Sequence, residues 1–177
     1  MQRLFHVSEE SSIRRFHPRR SPAVSSFFEN VVWAVDEPHL PNYLLPRDCP
    51  RVTYRLSPGT SEEDRARFFT GQSSHVVAIG SEWVARAANQ ILFVYELPVH
   101  SFRLLDVSAG YWISPAAVEP TGVTEVRQPL VALVSREVEL RVVPDLQELR
   151  EAVVQSTVDF SIIRMRNASP VSNDPLH

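Results

Sequence analysis

Residues 51–97, RVTYRLSPGTSEEDRARFFTGQSSHVVAIGSEWVARAANQILFVYEL, alternate three apolar runs with two short helical patterns. Arg51–Leu56, His75–Ile79 and Ile91–Leu97 are rich in β-branched and aromatic residues and read as strands. Thr60–Phe69 reads as a helix, with Thr60 and Glu63 spaced as a capping box and Gly71 as a stop. Ser81 is placed to cap a second helix that runs to Ala88. Taken alone, this stretch could open a doubly wound fold.

The sequence on both sides breaks that rhythm. Toward the N-terminus, Val31–Val35 (VVWAV) reads as a buried strand, followed by Asp36 as an N-cap with Pro38 in the next turn. DEPHLPNYLLPRDCPR then carries four prolines and leaves room only for a short helix near Asn42–Leu45. Gln2–Val7 reads as the first strand. Ser8 caps a short helix with Ile13 and Phe16 on one face, ended by Pro18. Arg19–Asn30, rich in Ser and Pro, reads as a loop.

Toward the C-terminus, Phe102–Asp106, Tyr111–Ser114, Val123–Val126 and Val138–Val143 read as strands, with a helix near Leu130–Arg136. Asp145 caps a last helix striped by Leu146, Leu149, Val153 and Val154. Strands and helices without a strict βαβ order predict an α+β class, with a mixed or antiparallel sheet and short flanking helices. The expected organisation is one domain over residues 1–168 and a flexible tail over 169–177.

Composition agrees with one domain. The chain has 177 residues, 44% of them hydrophobic and 22% charged. A chain this long buries roughly 70% of its unfolded surface around one core. The net charge of −3 argues against general nucleic-acid binding. A single cysteine, no secretory leader and no apolar run of membrane length predict a cytoplasmic, non-membrane protein.

All 18 basic residues are arginine. Without lysine there is no Schiff base to pyridoxal phosphate, no phosphate-loop lysine and no kinase lysine. The five glycines supply no GxGxxG after a strand. No two histidines stand at i, i+4, so no metal is expected. Cys49, flanked by Arg47 and Arg51, could act as a nucleophile with His39 or His6 as its base, or could be a packed core residue.

The first third carries the functional signal. His6 and Ser8 are two apart on a strand and share a face. Arg14, Arg15, Arg19, Arg20, Arg47 and Arg51 surround Trp33 and Tyr43 in sequence. Guanidinium groups suit phosphate and aromatic faces suit flat rings, which together describe a nucleotide. A solvated basic face on an otherwise acidic protein is the competing reading.

The runs LFHVSEESSIRRFHPR, VWAVDEPHLPNYLLPRDCPRV, AGYWIS and FSIIRMRNA resemble an uncharacterised bacterial family of unknown function. LFHVS and VVWAVDEPHLPNYL are also distantly similar to small ADP-ribosyltransferases, which begin with His-x-Thr or His-x-Ser on a strand. That resemblance implies an NAD site in which His6 holds the ribose, Ser8 is the following hydroxyl and Tyr43 stacks on nicotinamide. Arg19, Arg47 or Arg51 would hold the pyrophosphate by physical suitability. The family's late glutamate would fall to Glu96 or Glu119, because Tyr111 stands before WIS where the glutamate is expected. The expected partner is therefore a small nucleotide, with no macromolecular acceptor specified. The alternatives are a non-catalytic nucleotide or phosphate module, or an interaction domain whose arginines, with Trp83 and Trp112, meet an acidic partner.

Overall fold

The computed structural model describes residues 1–20 and 30–169. Among the described residues, eleven strands form two sheets. The larger contains β1 (Leu4–Ser8), β2 (Arg19–Arg20), β3 (Asn30–Asp36), β6 (Leu92–Leu97), β7 (Arg103–Asp106), β8 (Tyr111–Ser114) and β9 (Gly122–Val126). Its order is β7-β8-β3-β1-β6-β9, with β2 on β3, and every pairing is antiparallel. The smaller contains β4 (Arg51–Arg55), β5 (His75–Gly80), β10 (Glu139–Val143) and β11 (Asp159–Ile163), in the order β10-β5-β4-β11. Only β10 and β5 run parallel, so this sheet is mixed. The class is α+β, as the irregular order of elements predicts, with two sheets where the sequence suggested one.

Alternation along the strands sorts the apolar residues into three layers. Phe5 and Val35 of the large sheet pack with Leu40, Leu44, Val77 and Ile79 between the sheets. Leu4, Val32, Ala34, Tyr95 and Leu97 face the other way, beneath Phe16 and Val118. On the outer face of the small sheet, Val52, Tyr54, Val76 and Ala78 meet Phe68 of α1 (Glu62–Phe68) and Val153 of α4 (Leu146–Val154). Two shorter helices, α2 (Val84–Asn89) and α3 (Pro129–Val134), contribute Ala87 and Leu133 to the layer between the sheets.

Local signals hold in part. Asp36 does cap the next turn, accepting from the His39 N–H, but with Pro38 and Pro41 inside it the turn is a 3-10 helix over Glu37–Tyr43 rather than a helix at 42–45. Asp145 caps α4 through the Gln147 and Glu148 N–H groups. The cap of α1 is Ser61, not Thr60, because the Thr60 hydroxyl accepts from the Ser57 N–H in the preceding turn. No helix follows Ser8. Its hydroxyl accepts from the Glu10 N–H at 3.1 Å, and Phe16 then pairs with Val118, which draws residues 9–18 across the sheet as an irregular strap. The expected loop at 19–30 begins instead with the two residues of β2, and residues 21–29 lie outside those described. So does the expected tail, apart from Ser169.

Gly110 turns the chain into β8 at φ +65°. A side chain there would meet the ring of His39 and the carboxylate of Asp36, which are themselves paired at 2.6 Å. Glycine is required at this point by both its backbone angle and its neighbours.

Candidate functional site

The strand that carries His6 parts from its neighbour at His6. β1 and β3 pair at Leu4–Asp36 and Phe5–Val35 and no further. Both strands continue. β1 stays paired with β6 as far as Ser8–Phe93, and β3 with β8 as far as Val32–Ser114. A fork therefore opens between Val7 and Ser8 on one side and Trp33 and the residues before it on the other. His6, Val7, Ser8 and Trp33 are all partly exposed along it.

His6 stands at the root of this fork. Its Nδ1 lies 2.9 Å from the carbonyl oxygen of Trp33, where a strand N–H would otherwise donate. A carbonyl only accepts, so Nδ1 carries the proton and Nε2 presents a lone pair. Among the described residues Nε2 has no partner. The Phe16 ring covers one side of the imidazole, with centroids 4.8 Å apart. Burial pushes the His6 pKa below its ordinary value. The Arg47 and Arg19 guanidinium groups act in the same direction, against a hydrogen bond to Trp33 that raises it. His6 is accordingly neutral at pH 7.

The backbone brings both arginines toward the fork. Arg19 arrives on β2, next to β3. Arg47 arrives on the turn after the 3-10 helix, where its backbone N–H donates to Glu9 Oε1 at 2.9 Å. Among the described residues neither guanidinium has a hydrogen-bonding or ionic partner. The fork thus combines a neutral hydrogen-bond acceptor with two unpaired cations. Ser8 shares the His6 face, as strand phase requires, opposite Phe93.

Three sequence expectations are displaced. Tyr43 does not sit beside the His6 ring; it packs in the layer between the sheets, on the opposite face of β1. Its hydroxyl donates to the Tyr111 hydroxyl at 2.7 Å, and Tyr111 lies edge-on to Trp33. Tyr43 therefore reaches the fork from behind, through Tyr111 and Trp33. Arg51 is 2% exposed. Its Nη1 donates to the carbonyls of Pro46 (3.1 Å) and Cys49 (2.9 Å), and its guanidinium lies 5.7 Å from the Tyr43 ring centroid. Arg51 clamps the turn that carries Arg47 and cannot meet a ligand itself. Glu96 pairs across β1 with Phe5, on the face away from His6. Arg3 donates to both of its oxygens at 3.0 Å, and this pairing lowers the Glu96 pKa. Nothing in the sequence singled out Arg3.

The remaining candidates resolve similarly. Glu119 is exposed, 3.8 Å from Arg15. Cys49 is fully buried, and burial pushes its thiol up to about 11, so it is a core residue rather than a nucleophile. Trp83 and Trp112 each pack against a core layer, Trp83 with the Arg86 guanidinium 5.2 Å from its ring. Among the described residues no group of three His, Cys, Asp or Glu could hold a metal ion, and no helix is long and apolar enough to cross a membrane.

Sequence reasoning missed a cleft of about 470 Å³ on the β6 side of β1, lined by Glu9, Arg86, Asn89, Gln90, Ile91 and Phe93. Its residues differ in chemistry and carry no motif.

A family model described as a family of unknown function, DUF6886, matches residues 5–168. No curated protein and no solved structure matches the chain.

Proposed function

We propose that this chain, which belongs to the family of unknown function DUF6886, binds a nucleotide diphosphate such as NAD in the fork between β1 and β3. One observation carries the reading: among the described residues His6 Nε2 has no partner, and the nearby guanidinium groups of Arg19 and Arg47 have no carboxylate partner. A sugar hydroxyl donates to a neutral imidazole, and adjacent phosphates take the forks of two arginines. The proposal keeps His6, Ser8, Arg19 and Arg47 as ligand groups. Tyr43 and Arg51 position the turn that presents Arg47.

An ADP-ribosyltransferase-like activity with NAD is the further step of the same proposal. It requires a carboxylate at the ribose, stabilising an oxocarbenium-like centre by position and charge. The bidentate hold of Arg3 on Glu96 favours binding without turnover.

A melting scan with NAD, ADP-ribose and inorganic pyrophosphate tests the reading. Ligand at 100 times its dissociation constant stabilises the folded state by about 2.7 kcal/mol, a rise of roughly 5–10 °C for a domain of this size. No shift with any of the three at millimolar concentration would sink the proposal. Wild type incubated with NAD is expected to release no nicotinamide. Release that disappears in Glu96→Gln, with NAD binding retained, would establish the transferase instead.

A further inference from the structure

We propose that the fork takes the 3′-terminal nucleotide of a single-stranded RNA, whose preceding phosphates run along the arginines of the strap. This rests on the nucleotide reading above. The strap over residues 9–18 is pinned to the large sheet from beneath. The Ile13 N–H donates to the Tyr95 hydroxyl at 3.2 Å, and that hydroxyl donates to the Glu10 carbonyl at 2.7 Å. Phe16 pairs with Val118, and its ring centroid lies 5.3 Å from that of Tyr95 and 4.8 Å from that of His6. Ile13 and Phe16 pack inward, while Arg14, Arg15, His17 and Arg19 are all exposed.

From Arg14 to Arg20 the sequence RRFHPRR holds four arginines and no acidic residue, in a chain whose net charge is −3. The basic excess is local, which suits a short segment of nucleic acid rather than general binding. Arg14 has no hydrogen-bonding or ionic partner among the described residues. Arg15 meets Glu119 only at 3.8 Å, with both side chains more than half exposed, a contact that water largely screens. The row ends at Arg19, one of the two arginines assigned to the fork. Guanidinium groups in a row suit the successive phosphates of a single strand.

The fork decides which part of the strand enters. The Phe5–Val35 pair closes β1 onto β3 immediately behind His6. A sugar inside a chain carries an onward phosphate on its 3′ oxygen, and the closed strands leave it no path. A 3′-terminal ribose carries two hydroxyls instead, either of which can donate to Nε2 of His6. Its 5′ phosphate then falls to Arg19 and Arg47, and the phosphates before it to Arg15 and Arg14.

Calorimetry on wild type and on Arg14→Ala/Arg15→Ala tests this with four probes: an RNA hexamer ending in a 3′-hydroxyl, the same hexamer ending in a 3′-phosphate, hexaglutamate and ADP-ribose. Circular dichroism checks that the variant folds. Wild type is expected to bind the 3′-hydroxyl hexamer about tenfold more tightly than the 3′-phosphate hexamer, the usual scale for one mismatched polar group. Loss of two phosphate contacts in the variant is expected to weaken the hexamer about tenfold or more at ~0.1 M salt, and to flatten its dependence of log K on log salt by about 1.4. ADP-ribose, held by the fork alone, is expected to bind both proteins equally. Equal affinity for the two hexamers, or a variant that binds RNA as wild type does, overturns the proposal. So does hexaglutamate bound as tightly as RNA, which would make the strap a surface for an acidic protein. ADP-ribose bound without either hexamer overturns the RNA assignment and leaves the fork reading intact. Failure of ADP-ribose to bind wild type overturns both.

Discussion

Replacing Arg19 and Arg47 together by alanine is expected to weaken ADP-ribose binding about 100-fold or more, with little change in the stability of the ligand-free protein. A hydrogen bond to a charged group contributes about 1.5–3 kcal/mol, at least tenfold in affinity for each arginine. The two side chains approach from different elements, so their effects are expected to combine nearly additively. Stability is spared because, among the described residues, neither guanidinium has a partner to lose. The bond from the Arg47 N–H to Glu9 is a backbone bond and survives the substitution. The same variant removes two cations that act on His6, so the His6 pKa should rise toward its ordinary value. Calorimetry and a histidine titration read the two effects separately. A double variant that binds as wild type does would refute the phosphate assignment.

The second large effect is on stability in acid. His75 is buried, its Nε2 bonded to Asn42 Oδ1 at 2.8 Å. Burial, with Arg55 and His39 nearby, lowers its pKa to about 4. The unfolded chain holds a proton on this histidine below about pH 6.5, and the folded chain does not until pH approaches 4. Between those values the unfolded state binds more protons, so stability falls as pH falls. The full contribution is present above pH 6.5, and about 3 kcal/mol of it is lost by pH 4. His6, also lowered in the folded state, adds a loss of the same sign. Urea unfolding at pH 7 and pH 4.5 is expected to show this decline in wild type and a decline smaller by about 2 kcal/mol in His75→Gln. An equal pH dependence in the two proteins would remove His75 from the account.

Local chemistry made part of this legible in the sequence. Alternation in LFHVS places His6 and Ser8 on one face, and the ladder with β6 has that phase. The Asp36 and Asp145 caps are written in the residues that follow them. What escaped was set by distant partners. No local signal says that β1 leaves β3 after Phe5, because strand-forming residues continue through the fork in both, Val7 in β1 and Val31–Trp33 in β3. Tyr43 looked like a ligand group by its place after an acidic turn, yet the proline-bound 3-10 helix turns it into the layer between the sheets. Arg51 and Arg47 are indistinguishable in PRDCPR. Arg51 sits on β4 facing inward and gives its Nη1 to two carbonyls, whereas Arg47 is exposed and its guanidinium has no partner among the described residues. Glu96 was expected at a cleft from its position at a strand end, but the cross-strand neighbour that decides its role is 93 residues away, at Arg3. β11, Asp159–Ile163, was missed although Phe160, Ile162 and Ile163 favour a strand; its pairing with β4 is entirely long-range.

The claim that a ligand hydroxyl meets His6 in the fork can be observed at the imidazole itself. Nitrogen-15 spectra of histidine-labelled protein at pH 7, with His6→Gln to assign the resonance, report which ring nitrogen carries the proton. The structure requires a protonated Nδ1 and a bare Nε2 in the free protein, and the Nε2 resonance should move when ADP-ribose is added. A proton on Nε2 in the free protein, or an Nε2 resonance unmoved by bound ADP-ribose, would contradict it.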